Sequence, residues 1–271
     1  TELMKRGGAS TELKDLWNVS APDKVLQVAR SYVEAGSRII LTNTFGASPI
    51  TLARHGEADK AFAINKRGAE ISRQAAEGRA RVFGSVGPTG KMVSMGEIEE
   101  DELRAAYREQ LAGLAAGGVD GIVIETMSDL AEAQIAAACA AETGLPVVAC
   151  MTFGAGKSGD RTVMGTTPEQ AVERLIEAGA DIVGSNCGQG PAAMRPVIER
   201  LHAASGLPVW AKPNAGLPRL QDGVAVYEQT AEQFVAEAVG LLSAGAGFIG
   251  GCCGTSPEFI RALKASIEAN A

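Results

Sequence analysis

Short apolar runs alternate with longer segments of mixed polarity along most of the chain. A run of a few apolar residues bounded by glycine, proline or charge is typical of a buried strand. Seven such strands are predicted, at residues 38–42, 81–86, 121–125, 146–150, 181–184, 208–211 and 247–250. Apolar residues recur at helical spacing elsewhere, which predicts helices at residues 21–35, 59–77, 103–114, 130–142, 168–178, 191–204, 231–243 and 257–269. The first twenty residues are polar and are predicted to be irregular.

The predicted helices end in two recurring patterns. Some end in Ala-Gly, as at Gly117 and Gly179, and others end in Gly-Leu-Pro, as at Gly144 and Gly206. Each of these two pairs of glycines is separated by 62 residues. Such a period corresponds to two strand–helix units, so the chain is predicted to repeat that unit. Because the strands are almost wholly apolar, we expect a parallel sheet covered by helices on both faces.

The number of strands favours one architecture. A (β/α)8 barrel, or TIM barrel, of about 250 residues needs eight strands. The first predicted helix has no strand before it, so the sequence predicts an α/β protein of this type whose first strand lies before Thr1. Residues 1–271 are expected to form a single domain. An open doubly wound sheet is the alternative, but it gives no reason for cysteines at the ends of two separated strands.

Composition narrows the class of protein. Of the 271 residues, 46% are hydrophobic and 21% are charged, which is ordinary for a soluble globular protein. The net charge of −7 argues against nucleic acid or an anionic membrane as a partner. No apolar stretch reaches the roughly 18 residues needed to span a bilayer. Five cysteines in a chain of this size do not indicate a disulfide scaffold, so a cytoplasmic enzyme with reduced or metal-bound thiols is expected.

Three cysteines follow predicted strands and neighbour glycine. Cys187 comes after the strand at 181–184, and Cys252 and Cys253 come after the strand at 247–250. Active sites of such barrels lie at the C-terminal ends of the strands, so the three thiols should share one rim. Zinc accepts sulfur ligands, and three protein ligands leave a fourth position open, as in catalytic zinc sites. Alternatively, Cys252 and Cys253 form a packed or disulfide-linked pair and Cys187 is a small core residue.

Other residues carry weaker signals. Glu125 ends an apolar strand, where it either orients a substrate amine, is solvated, or pairs with a basic group. Cys139 and Cys150 fall in a helix and a strand and are expected in the core. The last helix, which begins near Pro257, suggests a phosphate site as an alternative, since barrels often bind phosphate there. An acidic residue in its first turn, Glu258, argues against a bound anion.

Six motifs together resemble the homocysteine S-methyltransferase family over nearly the whole chain, and most of all the homocysteine-binding domain of cobalamin-dependent methionine synthase. The motifs are Leu41-Thr42-Asn43-Thr44-Phe45-Gly46-Ala47, Gly84-Ser85-Val86-Gly87-Pro88-Thr89-Gly90, Glu125-Thr126, Asn186-Cys187, Pro213-Asn214-Ala215-Gly216 and Gly250-Gly251-Cys252-Cys253-Gly254-Thr255. In one departure, family members begin with a strand ending in Asp-Gly and then a Gly-Thr-Glu motif, whereas this sequence opens at Thr1-Glu2-Leu3, inside that motif. The resemblance implies a (β/α)8 barrel.

The resemblance also implies roles for individual residues. The expected zinc ligands, which act in catalysis through the metal, are Cys187, Cys252 and Cys253. Glu125 is the expected contact for the substrate amine, with Thr44 and Asn214 as further substrate-binding residues and Asn214 close to the metal. Binding to zinc removes the proton of the homocysteine thiol, which then attacks an electrophilic methyl group and gives methionine.

The resemblance identifies the methyl donor less narrowly than the methyl acceptor. The strongest likeness favours methylcobalamin or another methyl-corrinoid, with betaine or S-methylmethionine as alternatives. The chain has no room for a separate corrinoid domain, so a corrinoid protein or additional domains are expected as partners. Outside this class, the alternatives are a phosphate-binding barrel lyase or isomerase and a carrier of thiols or metal without enzymatic activity.

Overall fold

Strands and helices alternate through most of the protein. The computed structural model describes residues 2–7, 12–221 and 224–269. The strands are β1 (Ile39–Leu41), β2 (Arg81–Val86), β3 (Gly121–Met127), β4 (Val147–Met151), β5 (Ile182–Asn186), β6 (Val209–Lys212), β7 (Arg219–Gln221), β8 (Val224–Val226) and β9 (Ala246–Ile249). The helices are α1 (Glu2–Lys5), α2 (Trp17–Ser20), α3 (Pro22–Glu34), α4 (Pro49–Ala53), α5 (Ala61–Ala76), α6 (Glu100–Ala116), α7 (Leu130–Ala141), α8 (Pro168–Glu177), α9 (Pro191–Ser205), α10 (Ala231–Ala238), α11 (Gly240–Ser243) and α12 (Pro257–Ala269). None of the helices in these ranges is long and apolar enough to cross a lipid bilayer.

One curled parallel sheet organises the molecule. Its strands lie in the order β1-β2-β3-β4-β5-β6-β9, so each strand pairs with the next one along the chain. The exception to this succession is a short antiparallel hairpin of β7 and β8, inserted between β6 and β9. Parallel neighbours need crossover connections, and at least one helix lies in each of them. The predicted (β/α)8 TIM-barrel fold is confirmed.

Alternate strand residues build two apolar layers. On β3, Ile122 belongs to the large cluster that the surrounding helices complete, whereas its neighbour Val123 belongs to a second cluster with Trp210. In this inner cluster the Trp210 ring stacks between Phe83 and Phe248, with ring centroids 6.2 and 5.3 Å apart. The inner layer is apolar, so the polar groups available for chemistry lie at the strand ends.

The structure confirms most predicted elements and corrects others. The bounds of the seven sheet strands differ from the predicted ones by at most two residues. Cys139 and Cys150 are each 1% exposed, as expected of core residues. The prediction of an irregular N-terminal segment is wrong for its described part, which holds α1, α2 and a 3-10 turn at Lys14–Leu16. One large apolar side chain organises this polar segment, because Trp17 packs into the core at 3% exposure.

The two edges of the sheet border the same cavity. Among the described residues, β1 and β9 each pair with a single neighbouring strand. The cavity has a volume of about 790 Å³ and is lined by Ile39 and Leu41 of β1 and by Phe248 of β9. It lies where the eighth strand of a closed barrel runs. The predicted position of such a strand before Thr1 stays a prediction.

Candidate metal and substrate site

Three thiols converge at the C-terminal ends of β5 and β9. Cys187 directly follows β5, and Cys252 and Cys253 follow β9 after a pair of glycines. The three sulfur atoms lie within 4.8 Å of one another, and those of Cys187 and Cys253 are 4.0 Å apart. In the described part of the chain, this is the one group of three or more His, Cys, Asp or Glu side chains with metal-binding proximity.

The loop after β6 holds the two adjacent cysteines in place. The Cys252 amide donates to the carbonyl of Pro213 at 2.8 Å, and the Cys253 amide donates to Asn214 Oδ1 at 3.1 Å. The Ala215 amide returns a hydrogen bond to the Cys253 carbonyl at 2.9 Å. Asn214 is 3% exposed. The structure therefore places Asn214 beside Cys253, whose backbone its side chain fixes. A contact of Asn214 with substrate stays a prediction.

Two residues at the rim adopt left-handed backbone angles. Cys187 has φ 63° and Thr126, near the end of β3, has φ 64°. This conformation is uncommon for residues other than glycine and clusters at functional sites. Asn186 joins the two, because its Oδ1 accepts from the Thr126 amide at 2.7 Å and its Nδ2 donates to Thr126 Oγ1 at 2.8 Å. The strand ends are thus locked together beside the thiols.

The donor set fits a thiophilic metal ion. All five cysteines are free thiols, so the alternative of a Cys252–Cys253 disulfide does not describe this structure. On tetrahedral zinc, Zn–S bonds of about 2.3 Å place sulfur atoms about 3.8 Å apart, close to the 4.0 Å between Cys187 and Cys253. The hydrogen bond with Cys252 raises the pKa of Cys187, and the hydrogen bond with Cys187 raises the pKa of Cys253. A metal ion would displace these protons.

Glu125 lies across the mouth of the barrel and is 6% exposed. Its Oε1 accepts a hydrogen bond from Ser85 Oγ at 2.6 Å, and its Oε2 accepts one from Lys212 Nζ at 2.9 Å. Burial has the largest single effect and lowers the pKa of Lys212, but the Glu125 carboxylate, through its charge and its hydrogen bond, and the nearby Cys252 together outweigh burial, so the net shift of that pKa is upward. Glu125 is therefore a buried member of an ion pair rather than a solvated strand end. Its contact with a substrate amine stays a prediction.

Thr44 occupies a fully buried position behind the rim. Its Oγ1 donates to the Ser85 carbonyl at 2.7 Å and lies 2.6 Å from Thr42 Oγ1. Thr44 is 0% exposed. The side chain thus ties the end of β1 to β2, on which Ser85 carries the hydroxyl that contacts Glu125. Direct contact of Thr44 with a substrate stays a prediction.

The cavity between β1 and β9 extends to the thiols. Besides the apolar residues of the two edge strands, its lining includes Lys212, Cys252 and Cys253. A small molecule inside it could therefore meet an ammonium group and two sulfur atoms at one end. This combination of an apolar wall with a few convergent polar groups is typical of a ligand site.

Four residues around the site were assigned no role from the sequence, although two of them, Ser85 and Asn186, lie in the six motifs. They contact the predicted site residues directly, and they are Ser85, Asn186, Lys212 and Tyr227. Burial and the nearby Cys253, to which its hydroxyl is hydrogen-bonded, raise the pKa of Tyr227. The sequence did contain a signal for Lys212, because it is a charged residue at the end of an apolar strand. Glu125 is unusual on β3 for the same reason.

Comparison with protein families places the sequence in a class. The profile of the family described as homocysteine S-methyltransferase matches residues 1–267. The chain therefore belongs to the homocysteine S-methyltransferase family, which confirms the family expected from its motifs.

Particular relatives agree with this assignment. The sequence is 31% identical to methionine synthase of Mycobacterium leprae and 32% identical to methionine synthase of Mycobacterium tuberculosis, each over 266 residues. The matches cover 93% of the present chain and 22% of each relative. The chain thus spans about a fifth of the length of these curated relatives.

Solved structures agree on the fold. The metallated form of homocysteine methyltransferase MmuM from Escherichia coli superposes with a TM-score of 0.80 and 24% identity, covering 98% of this chain and 92% of that one. The apo form of the same protein gives a TM-score of 0.75. At this identity the likeness supports the barrel architecture alone.

Proposed function

We propose that this chain is a zinc-dependent homocysteine S-methyltransferase, which transfers a methyl group to the thiol of homocysteine and gives methionine. The observation that carries the proposal is the convergence of three free thiols within 4.8 Å at the barrel rim. Membership of the homocysteine S-methyltransferase family supports the acceptor. The assignment of residues 1–271 to one homocysteine-binding barrel domain is part of this proposal, and so is a cytoplasmic location, where free thiols persist.

The proposed zinc ligands are Cys187, Cys252 and Cys253. When bound, zinc supplies Lewis acidity that lets the substrate thiol react as a thiolate at neutral pH. The chain's own contribution is to hold the three sulfur atoms in position through the Pro213–Ala215 loop and the left-handed backbone of Cys187. Hydrogen bonds at a metal's ligands fix their orientation and raise its affinity.

Substrate recognition is assigned to the polar residues around the thiols. Glu125 takes the ammonium group of homocysteine, since it is a carboxylate held at the barrel mouth by Ser85. Asn214 and Thr44 complete the proposed set, Asn214 beside Cys253 and Thr44 beneath Ser85. Glu125, Thr44 and Asn214 are buried, whereas the three thiols are partly exposed and so accessible to a substrate.

The proposed donor is methylcobalamin or another methyl-corrinoid, delivered by a corrinoid protein or by additional domains. This is supported by the likeness to methionine synthases, of which the chain spans only 22%. Betaine and S-methylmethionine are the alternative donors. An activity screen of homocysteine against methylcobalamin, a methyl-corrinoid protein, betaine and S-methylmethionine decides among them by which donor yields methionine.

Metal analysis of cysteine variants tests the proposed centre. We expect about one zinc per wild-type chain and a loss of both bound zinc and methyl transfer in Cys187→Ala, Cys252→Ala and Cys253→Ala, because two thiolates hold zinc far more weakly than three. Cys139→Ala is the matched control, since Cys139 is a buried thiol in α7. Full activity and zinc content in Cys252→Ala and Cys253→Ala would overturn the proposal.

A further inference from the structure

A buried ion pair borders the candidate substrate cavity. The side chains of Lys212 and Glu125 are 14% and 8% exposed, and their charged atoms are 2.9 Å apart. Lys212 lines the cavity together with Cys252 and Cys253. The pair joins β6 to β3, which are not neighbours in the sheet. Its charges therefore meet across the mouth, and Lys212 shares the cavity lining with two of the proposed metal ligands.

The two partners differ in how fully their hydrogen-bonding capacity is used. Both carboxylate oxygens of Glu125 have partners, one being Ser85 and the other Lys212. An ammonium group has three N–H donors. Within the described residues, one donor of Lys212 reaches an acceptor, and that acceptor is Glu125. The remaining donors of a buried cation beside a cavity are a ready site for an anionic group.

We propose that Lys212 binds the carboxylate of the amino-acid substrate while Glu125 binds its ammonium group, so that the ion pair opens when a zwitterion enters. This inference rests on the proposed function, which makes the acceptor an α-amino acid with a side-chain thiol. Exchanging one ion pair for two leaves every buried charge with a counter-charge. A buried charge that loses its partner is strongly unfavourable, so the exchange favours ligands that carry both groups.

The arrangement makes Lys212 a specificity-determining residue. The ammonium group of a thiol that lacks the carboxylate would take Glu125 away from Lys212. The ligand would then offer no anionic group to replace Glu125 beside Lys212. A thiol that lacks the amine would draw Lys212 away and leave Glu125 unpaired. Sites built to bind polar groups reject analogues that lack those groups, because their own buried partners are left unsatisfied.

The proposal is tested by measuring the affinity of three thiols for the zinc-loaded chain with isothermal titration calorimetry. The ligands are L-homocysteine, its methyl ester, which has no carboxylate, and 4-mercaptobutanoic acid, which has no amine. We expect wild type to prefer L-homocysteine over the ester by about 10- to 100-fold, the range typical of a hydrogen bond to a charged group. Lys212→Met should reduce this preference to less than about 3-fold.

Two further variants separate recognition from structure. Lys66→Met is the matched control, since Lys66 forms an exposed ion pair with Glu70, and it should keep the full preference. Lys212→Arg retains the charge and should keep most of the preference for the acid over the ester. Should Lys212→Met fail to fold, the double variant Glu125→Gln with Lys212→Met removes both charges, and it should lose discrimination against both analogues.

The outcomes distinguish this proposal from the proposed function. Wild type that binds L-homocysteine and a folded Lys212→Met that still prefers it over the ester would overturn the carboxylate contact alone. Wild type that takes up zinc but binds none of the three thiols would overturn the proposed function itself. A preference lost in Lys212→Met and retained in Lys212→Arg and Lys66→Met supports the contact.

Discussion

Two buried glutamates on one strand–helix unit are held in opposite ways. Glu125, on β3, is 6% exposed and pairs with the ammonium group of Lys212. Glu132, on α7, is 3% exposed, and its Oε1 accepts hydrogen bonds from three neutral groups, namely the Thr89 amide, the Thr89 hydroxyl and the Tyr107 hydroxyl. Burial, the largest influence, raises the pKa of Glu132.

This difference in hydrogen-bond partners distinguishes Glu125, which is placed to bind a ligand, from Glu132, which stabilises the fold. A charge whose counter-charge is carried by a long, flexible side chain such as lysine can exchange that partner for a ligand, and Lys212 lines the cavity from which a ligand would enter. A carboxylate held by backbone and hydroxyl donors has no partner that a ligand could replace. Glu132 instead fixes the loop after β2, which carries Thr89, against α6, which carries Tyr107. The same side chain thus serves recognition in one place and loop anchoring in the other.

Glu132→Ala should give the largest loss of stability. The substitution leaves the Thr89 amide, the Thr89 hydroxyl and the Tyr107 hydroxyl without their common acceptor, and the free energy of unfolding should fall by about 4 kcal/mol. Urea unfolding followed by circular dichroism measures the change. Glu142→Ala, which removes an exposed ion pair with Arg108 beyond the end of the same helix, is the control and should lose less than about 1 kcal/mol.

Bound zinc and homocysteine affinity should be unchanged in Glu132→Ala at temperatures where the variant is folded. A loss of homocysteine binding with stability intact would reverse the roles assigned to the two glutamates.

A double-mutant cycle should show that the partners of Glu125 are interdependent. Glu125→Gln and Lys212→Met each leave a buried charge without its counter-charge. Each should therefore lower the free energy of unfolding by about 3 kcal/mol. The double variant removes both charges and should be less destabilised than the sum of the single variants by about 3 kcal/mol. Urea unfolding of all four proteins gives the coupling energy. Additive losses would mean that the two charges do not interact in solution.

Asp15 extends the comparison to a carboxylate whose partner is the backbone. Its Oδ1 accepts from the Gly46 amide at 2.9 Å, and burial raises its pKa from 3.8 to about 6. The folded chain therefore holds this proton more tightly than the unfolded chain. The free energy of unfolding should fall by roughly 2 kcal/mol as the pH rises through this interval, and Asp15→Asn should lack that component.

Urea unfolding at a series of pH values from 4 to 7 measures the difference between wild type and Asp15→Asn. Asp23→Asn, which makes the same substitution at an exposed carboxylate in the first turn of α3, is the control. Parallel profiles for wild type and Asp15→Asn would show that Asp15 titrates alike in both states.

Ser85→Ala should give the smallest effect. It removes one neutral donor from Glu125 while the ion pair with Lys212 remains, so the expected loss of stability is about 1 kcal/mol. Ser72→Ala is a suitable control, because Ser72 is equally buried and bonds the carbonyl of Gly68 within its own helix. A loss as large as that of Glu125→Gln would show that Ser85, rather than Lys212, holds the carboxylate.

The sequence allowed the sheet and the cysteine cluster to be predicted for a shared reason. Buried parallel strands are continuous apolar runs, and residues directly after them meet at one rim, so Cys187, Cys252 and Cys253 could be grouped without coordinates. The same logic brought Asn214 to this end of the barrel. These signals are local, and a single sequence displays them.

Other features depend on pairings between distant residues. Lys212 and Glu125 meet because the barrel curls β6 towards β3, and no local pattern encodes that contact. The two-way hydrogen bonds between Asn186 and Thr126 similarly join separate strand ends. The hairpin of β7 and β8 was missed because Arg219–Gln221 is exposed and has no apolar run. Sequence patterns thus identified which residues reach the rim, but not which of them bind each other.

The three thiols come from two distant parts of the chain, so a metal ion bound by all of them would also stabilise the fold. Cys187 is separated from the Cys252–Cys253 pair by α9, β6, the hairpin of β7 and β8, α10, α11 and β9, yet their sulfur atoms lie within 4.8 Å. An ion held by all three would close a long loop of chain, as a cross-link does, and restrict the unfolded ensemble more than the folded one. Binding and folding are then linked by mass action, so a chelator would lower the melting temperature. The ion would thereby link β9, which lies at an open edge of the sheet, to β5, which lies in the interior of the sheet.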